Sequence, residues 1–160
     1  MVAIIGVMSA LALVGYRKYL NTAQSSEAKG VIMSIRGAQE AYKSEMLQYL
    51  KVSNSITTYY PNTTPNDKRF AWVQPSHADY TTGWKLLAVN PDTAVRFGYA
   101  CTAGVGGKLD DFEFTTTPTL AAGVPWFTVQ AKNDHDHNGT FAFFGSTSMS
   151  GEIMSQNEQE

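Results

Sequence analysis

The first sixteen residues, Met1 to Tyr16, read MVAIIGVMSALALVGY and carry no charge, and the run stops at Arg17-Lys18. A helix that is apolar on every side is not a surface helix of an ordinary domain. It belongs inside a bilayer or a bundle of helices. A full bilayer span takes about 20 apolar residues, so this run is slightly short of one. A secretory signal peptide places basic residues ahead of its apolar stretch, and none precedes this one. The expectation is a helix buried by lipid or by other helices.

The chain does not change character by breaking. From Asn21 to Leu50 there is no proline, and Gly30 and Gly37 are the only glycines. Ala28, Val31/Ile32, Ile35, Ala38, Tyr42, Met46 and Tyr49 recur at spacings of three and four, which marks one helical face. Glu27, Lys29, Arg36, Glu40 and Lys43 occupy the remainder. The pattern predicts one helix over about residues 2–50, apolar all round in its first third and amphipathic afterwards. At 1.5 Å per residue such a helix is about 75 Å long, more than a small domain can cover. The uncovered part, Ile4, Ile5, Val7, Met8, Leu11, Leu13, Val14 and Gly15, is expected to form a filament core or to lie in a membrane.

Several residues carry a resemblance. Val2-Ala3-Ile4-Ile5-Gly6, Ser9-Ala10-Leu11-Ala12-Leu13 and Tyr16-x-x-Tyr19 resemble the N-terminal helix of type IV pilins. Ser26-Glu27-Ala28-Lys29 and Ala38-Gln39-Glu40-Ala41-Tyr42 resemble the amphipathic half of the same helix. Trp84, Pro91-Asp92, Val95-Arg96-Phe97-Gly98-Tyr99 and Asp134-x-Asp136-x-Asn138-Gly139 resemble the head of one pilin subgroup. The likeness is strong over residues 1–50, looser over 84–160 and nearly silent from 51 to 83. It implies a pilin fold, with residues 1–23 as transmembrane or filament-core helix and 24–160 as the head. It implies a non-enzymatic subunit of a type IV pilus, serving adhesion, motility or a related surface function. The implied partners are other copies of itself, the inner membrane before assembly, a prepilin peptidase and an assembly machinery. The implied location is the inner membrane, then a cell-surface filament.

Type II secretion pseudopilins share the helix pattern and stand as one alternative. Pilins also carry a basic leader, a glycine before the cleavage point and a glutamate in the apolar stretch. None of these precedes Val2, so the sequence is expected to be cut short or to begin at an internal methionine. Family members commonly have a proline where this chain has Val14, and Gly15 could supply the same weak point or simply permit close packing. Arg17-Lys18 favours a cytoplasmic position by the positive-inside tendency, against the family topology, and the missing leader is expected to outweigh it.

The head is predicted to be an antiparallel sheet packed on the amphipathic half of the helix, an α+β fold. Residues 51–83 are rich in Ser, Thr, Asn, Pro and Tyr and show no period. They read as a long loop, for recognition or as a solvated wrap. Trp84–Val89 reads as a strand, and Phe112–Thr116 as a weaker one. Val95, Phe97, Tyr99 and Cys101 alternate with polar or small residues, as do Phe127, Val129 and Ala131, so both runs read as half-buried strands. The second pairs with Thr140–Phe144 as a hairpin turning at Asn138-Gly139. Cys101, the single cysteine, is expected to be a buried and unreactive thiol.

Few residues suggest chemistry. Asp134, Asp136 and Asn138 offer oxygens at alternate positions ahead of Gly139, as in the opening of a calcium loop. The glutamate such a loop needs six residues after the glycine is replaced by Gly145. A polar turn is the plainer reading, so no cofactor is expected, with calcium as the one candidate. A calcium-dependent binding module, tethered or secreted, is therefore a second alternative function. His135 and His137 would share a strand face but have no evident third metal ligand. Asp110-Asp111 with Glu113 reads as a solvated acidic patch, and His77 has no nucleophile to serve. Tyr16, Tyr19, Tyr42 and Tyr49 form a rough stripe that packing explains. With net charge −2 and no run of more than two basic residues, nucleic acid is not an expected partner.

Overall fold

A computed structural model describes residues 2–158; of residues 2, 3, 14, 17 and 18 it describes the backbone only. Helix α1 spans Val2–Met46, an unbroken 45 residues and so about 67 Å at 1.5 Å per residue. It passes through Gly15, Gly30 and Gly37 without interruption. It ends four residues short of the expected Leu50, because Leu47 turns left-handed at φ 59°. Its N–H still closes the last turn on the Lys43 carbonyl, 2.9 Å away. Tyr49 keeps its place on the predicted apolar face by folding back. Its hydroxyl donates to Glu40 Oε1 (2.8 Å) and accepts from Lys43 Nζ (3.0 Å).

The strands are β1 (Gly98–Lys108), β2 (Thr119–Asn133), β3 (Ala142–Thr147) and β4 (Met154–Gln156). They form one antiparallel sheet in the order β1-β2-β3-β4. The fold is α+β, a long N-terminal helix ahead of a four-stranded sheet. One sheet face carries Tyr99, Cys101, Phe127, Val129, Ala131 and Phe144, and it joins Ala28, Val31, Ile32 and Ile35 of α1 in the main core.

The strands are not half-buried, as alternation predicted. Ala100, Thr102, Thr128 and Gln130 on the opposite face are buried as completely as their neighbours. Two unstructured segments cover that face. Ile56 and Tyr59 pack with Ala100, while Phe112 stacks on Phe114, which meets Phe143. The Phe112 ring occupies the space where a Cβ on Gly145 would stand, 2.6 Å away, so only glycine fits there. The start of β1's open edge is also occupied: Tyr60 and Tyr99 exchange backbone bonds (2.9 and 2.7 Å), and just ahead of the strand Phe70 and Val95 do the same (2.8 and 2.9 Å). Over Tyr99 to Cys101 the edge is thereby closed to a stray strand.

Residues 51–79 are irregular, as expected, but they are more than a solvated wrap. Val52, Ile56, Tyr59, Tyr60 and Trp72 are core residues. Tyr60 and Trp72 form, with Trp84 and Tyr99, a set of stacked and edge-on rings. Two predicted strands are absent. Tyr80–Trp84 forms a π-helical turn running into α2 (Lys85–Leu87), stopped by Ala88 at φ 57°. Phe112–Thr116 is irregular. In the β1–β2 ladder Val105 pairs with Pro125 and Gly107 with Leu120, so Ala121–Val124 bulge outward opposite Gly106. Gly106 has φ 65°, a Cβ there would stand 3.0 Å from Ala122 Cα, and its carbonyl accepts from Trp126 Nε1 at 3.0 Å.

Candidate functional site

Among the described residues, 4–13 of α1 form the long stretch that nothing packs against. Ile4, Ile5, Val7, Met8, Leu11 and Leu13 are each between 54% and 68% exposed. Ser9 turns its hydroxyl back on the Ile5 carbonyl at 2.8 Å, so the polar group is satisfied within the helix. Gly15 is exposed in unbroken helix, and for Val14 only the helical backbone falls within the described residues. Among the described residues no helix is long and apolar enough to cross a membrane. Tyr16 and Tyr19 are exposed, at 60% and 70%. Tyr42 is half-buried and Tyr49 buried, so the four tyrosines do not make one packed stripe.

From Gln24 onward one face of the helix is covered, and three polar clasps hold it. Gln39, fully buried, receives the Leu50 N–H on Oε1 (2.9 Å). Its Nε2 donates to the Leu50 carbonyl (2.8 Å) and to Cys101 Sγ (3.2 Å). The side-chain amide thereby does for Leu50 what a neighbouring backbone would do. Sequence periodicity missed it, because a glutamine inside an apolar stripe looks like a surface residue. Arg36 Nη1 donates to Ser146 Oγ (2.6 Å) and to the carbonyls of Thr147 (2.5 Å) and Ser150 (2.7 Å). Lys29 pairs with Glu158, whose carbonyl accepts from Ser25 Oγ at 3.1 Å. Cys101 is fully buried, and burial pushes its thiol up to about 12 against the smaller opposing effect of Gln39.

The Asp134–Gly139 segment is not a tight hairpin. Asn133 pairs with Ala142, so eight residues connect β2 to β3. Positive φ falls at His137 (60°) and Gly139 (83°), whereas a type I′ turn needs it at both central residues. The candidate calcium ligands are engaged with the loop's own backbone. Asp134 Oδ2 accepts from the Gly139 N–H (3.1 Å) and Asp136 Oδ1 from that of Asn138 (3.1 Å). Asn138 Oδ1 accepts from the Thr140 N–H at 2.6 Å. Among the described residues no group of three or more His, Cys, Asp or Glu is arranged to hold a metal ion. His135 and His137 do not share a face: Nε2 of the first meets Gln24 Nε2 (3.3 Å), and Nε2 of the second meets Asp67 Oδ1 (2.8 Å). The His137 bond holds the Asp67 carboxyl below its usual range.

The acidic patch divides. Asp111 is paired with Lys108 at 2.5 Å and accepts the Thr117 N–H at 2.7 Å. Glu113 is drawn into a polar cluster instead, accepting from Tyr59 and from Gln130 Nε2 (3.2 Å) and pairing with Lys132 (2.8 Å). The ammonium of Lys132 lies over the rings of Phe141 (4.3 Å) and Phe143 (5.2 Å). All its neighbours are already engaged, which makes this a structural knot. His77 packs edge-on to Tyr60, 5.0 Å between centroids, and accepts the Asp79 N–H at 3.2 Å.

No protein-family model matches this sequence, and no solved structure matches. Among curated proteins, MDIS1-interacting receptor like kinase 2 of Arabidopsis thaliana is 28% identical over 90 residues. That is 56% of this chain but 8% of the plant protein, so the chain spans a small fraction of that relative's length. The His-Arg-Asp and Asp-Phe-Gly signatures on which kinase chemistry depends do not occur in this sequence.

Proposed function

We propose that this chain is a pilin-like structural subunit that polymerises through the first half of α1. The observation that supports this reading is the contrast within one unbroken helix, covered on one face from Gln24 onward and bare of cover over Ile4 to Leu13. Fully burying each large apolar side chain of that run is worth about 1.5–3 kcal/mol, and among the described residues nothing does so. Other copies of the same helix would, and the order of apolar then amphipathic segments is the one that type IV pilins resemble. In that scheme the helix is held in the inner membrane and then drawn into the filament, exchanging lipid for helix contacts of similar apolarity. Because the exchange leaves apolar surface in apolar surroundings, packing and machinery rather than hydrophobic energy set its direction. The head then lies on the filament exterior, outside the cell.

The test is Leu11→Asp, with Ile5→Asp beside it. An unpaired carboxylate in a helix bundle costs several kcal/mol, whereas neither position touches the head. Electron microscopy of cells or of purified protein is expected to find filaments from the natural sequence and none from the variants. Melting of the head, residues 24–160, is expected to be unchanged. Normal filaments from Leu11→Asp would remove the polymer-core reading.

A further inference from the structure

Where the bare and covered halves of α1 meet, Leu20, Ala23, Gln24 and Glu27 fall on one helical stripe, and Arg69 and Arg96 complete a cleft of about 140 Å³. Among the described residues the Nε of Arg96 is out of contact with solvent and has no hydrogen-bond partner. Arg69 is held loosely, by a 3.3 Å bond to the Ala94 carbonyl and a 3.7 Å approach to Glu27. Glu27 spends its other oxygen on the Arg96 N–H at 2.8 Å. Two guanidinium groups against one carboxylate leave a positive charge unbalanced in this cleft. A buried N–H donor without an acceptor costs its full desolvation, and buried donors in folded proteins are nearly always paired. Guanidinium groups present planar, forked N–H donors that match an oxyanion.

We propose that this cleft binds a phosphate group, as free phosphate or as the phosphodiester of an anionic lipid headgroup. The placement suits either source. Leu20 lies seven residues beyond Leu13, about 10 Å along the helix, which is headgroup depth if the apolar run sits in acyl chains. The cleft itself needs no assembly, so Leu11→Asp is expected to leave it intact and the two proposals can fail separately.

The experiment is phosphorus NMR of the full chain in non-ionic detergent micelles. One arm titrates inorganic phosphate and the other dopes the micelles with phosphatidylglycerol. Saturable broadening is expected in at least one arm, and which arm responds identifies the source. Arg69→Gln and Arg96→Gln are expected to weaken that binding about tenfold or more, as loss of a charge-assisted hydrogen bond does. Lys68→Gln, which removes an exposed charge next in sequence but outside the cleft, is expected to change nothing. Arg69 is 48% exposed, so its variant does not hinge on the core surviving. No saturable binding in either arm, or equal binding by the Arg69→Gln variant, would leave the cleft to water alone. A loss with Lys68→Gln as large as with Arg69→Gln would reduce the effect to general surface charge and overturn the site.

Discussion

Residues 4–13 and residues 24–39 belong to the same helix, yet their side chains live in opposite conditions. In the second stretch Ala28, Ile32, Ile35 and Gln39 have no exposed surface. Glu27, Lys29 and Arg36 flank them half-buried in bonds to the head, and Ser26, Gly30, Met33, Ser34 and Gly37 take the outer face. In the first, every large side chain is apolar and more than half exposed. An isolated apolar helix is not stable in water by propensity alone, since most helical stability comes from packing one face. The difference teaches that the head specifies only the second half. Among the described residues nothing packs on the first half, whose uniform apolarity is what the proposed burial by other helices or lipid would use.

The comparison is broken most directly by matched truncations. Ile32→Ala is expected to destabilise the head by about 2–5 kcal/mol, as removal of buried methylenes does. Ile5→Ala, at an exposed site, is expected to stay within about 0.5 kcal/mol. Denaturant melts of the detergent-solubilised chain measure both, and equal effects would mean that the first half folds against the head after all. Gln39→Leu sharpens the other side of the contrast. It leaves the Leu50 N–H and carbonyl without their partners, and a loss of about 1–3 kcal/mol is expected by the same measurement.

Alkaline titration addresses the sheet. Burial raises the Cys101 thiol and the Tyr60 phenol each to about 12, and it raises Tyr59 and Tyr99 as well. These groups ionise more easily in the unfolded chain. Their contribution is therefore complete below the unfolded values and is lost as pH climbs from about 8.5 for cysteine and about 10 for tyrosine toward the folded ones. Melts are expected to fall steadily above about pH 9, and a bulky thiol reagent is expected to label Cys101 only on unfolding. The smallest effect is expected at the β2–β3 connection. Adding calcium or chelator should not move the melting temperature, and Asp136→Ala should cost a few tenths of a kcal/mol. A calcium-dependent rise of several degrees that vanishes in Asp136→Ala would make that loop a metal site.

Much of this was legible from residue spacing, and the losses have one cause. The two-part helix, the burial of Val95, Phe97, Tyr99 and Cys101, and that of Phe127, Val129 and Ala131 follow from local periods of 3.6 and 2. A period reports one face only. Ala100 and Gln130 looked solvent-facing because their covers, Tyr59 and Phe112, come from distant stretches with no period. Trp84–Val89 looked like a strand because a short apolar run fits either element, and the left-handed Ala88 that ends the turn carries no glycine to announce it. The neck cleft was equally hidden, since Glu27, Arg69 and Arg96 meet only through tertiary folding.

The segment from Lys51 to Trp72 sorts its residues strictly. Val52, Ile56, Tyr59, Tyr60 and Trp72 point inward, while Lys51, Asn54, Thr63 and Lys68 point out. The inward set is anchored by rings and backbone bridges, so the outward set can be rewritten at almost no energetic expense, within about 0.5 kcal/mol per change. A lineage carrying this domain can therefore alter what its exterior displays, charge for hydroxyl or hydroxyl for amide, while the interior vocabulary stays fixed. In a polymer each such edit would be copied along the whole length.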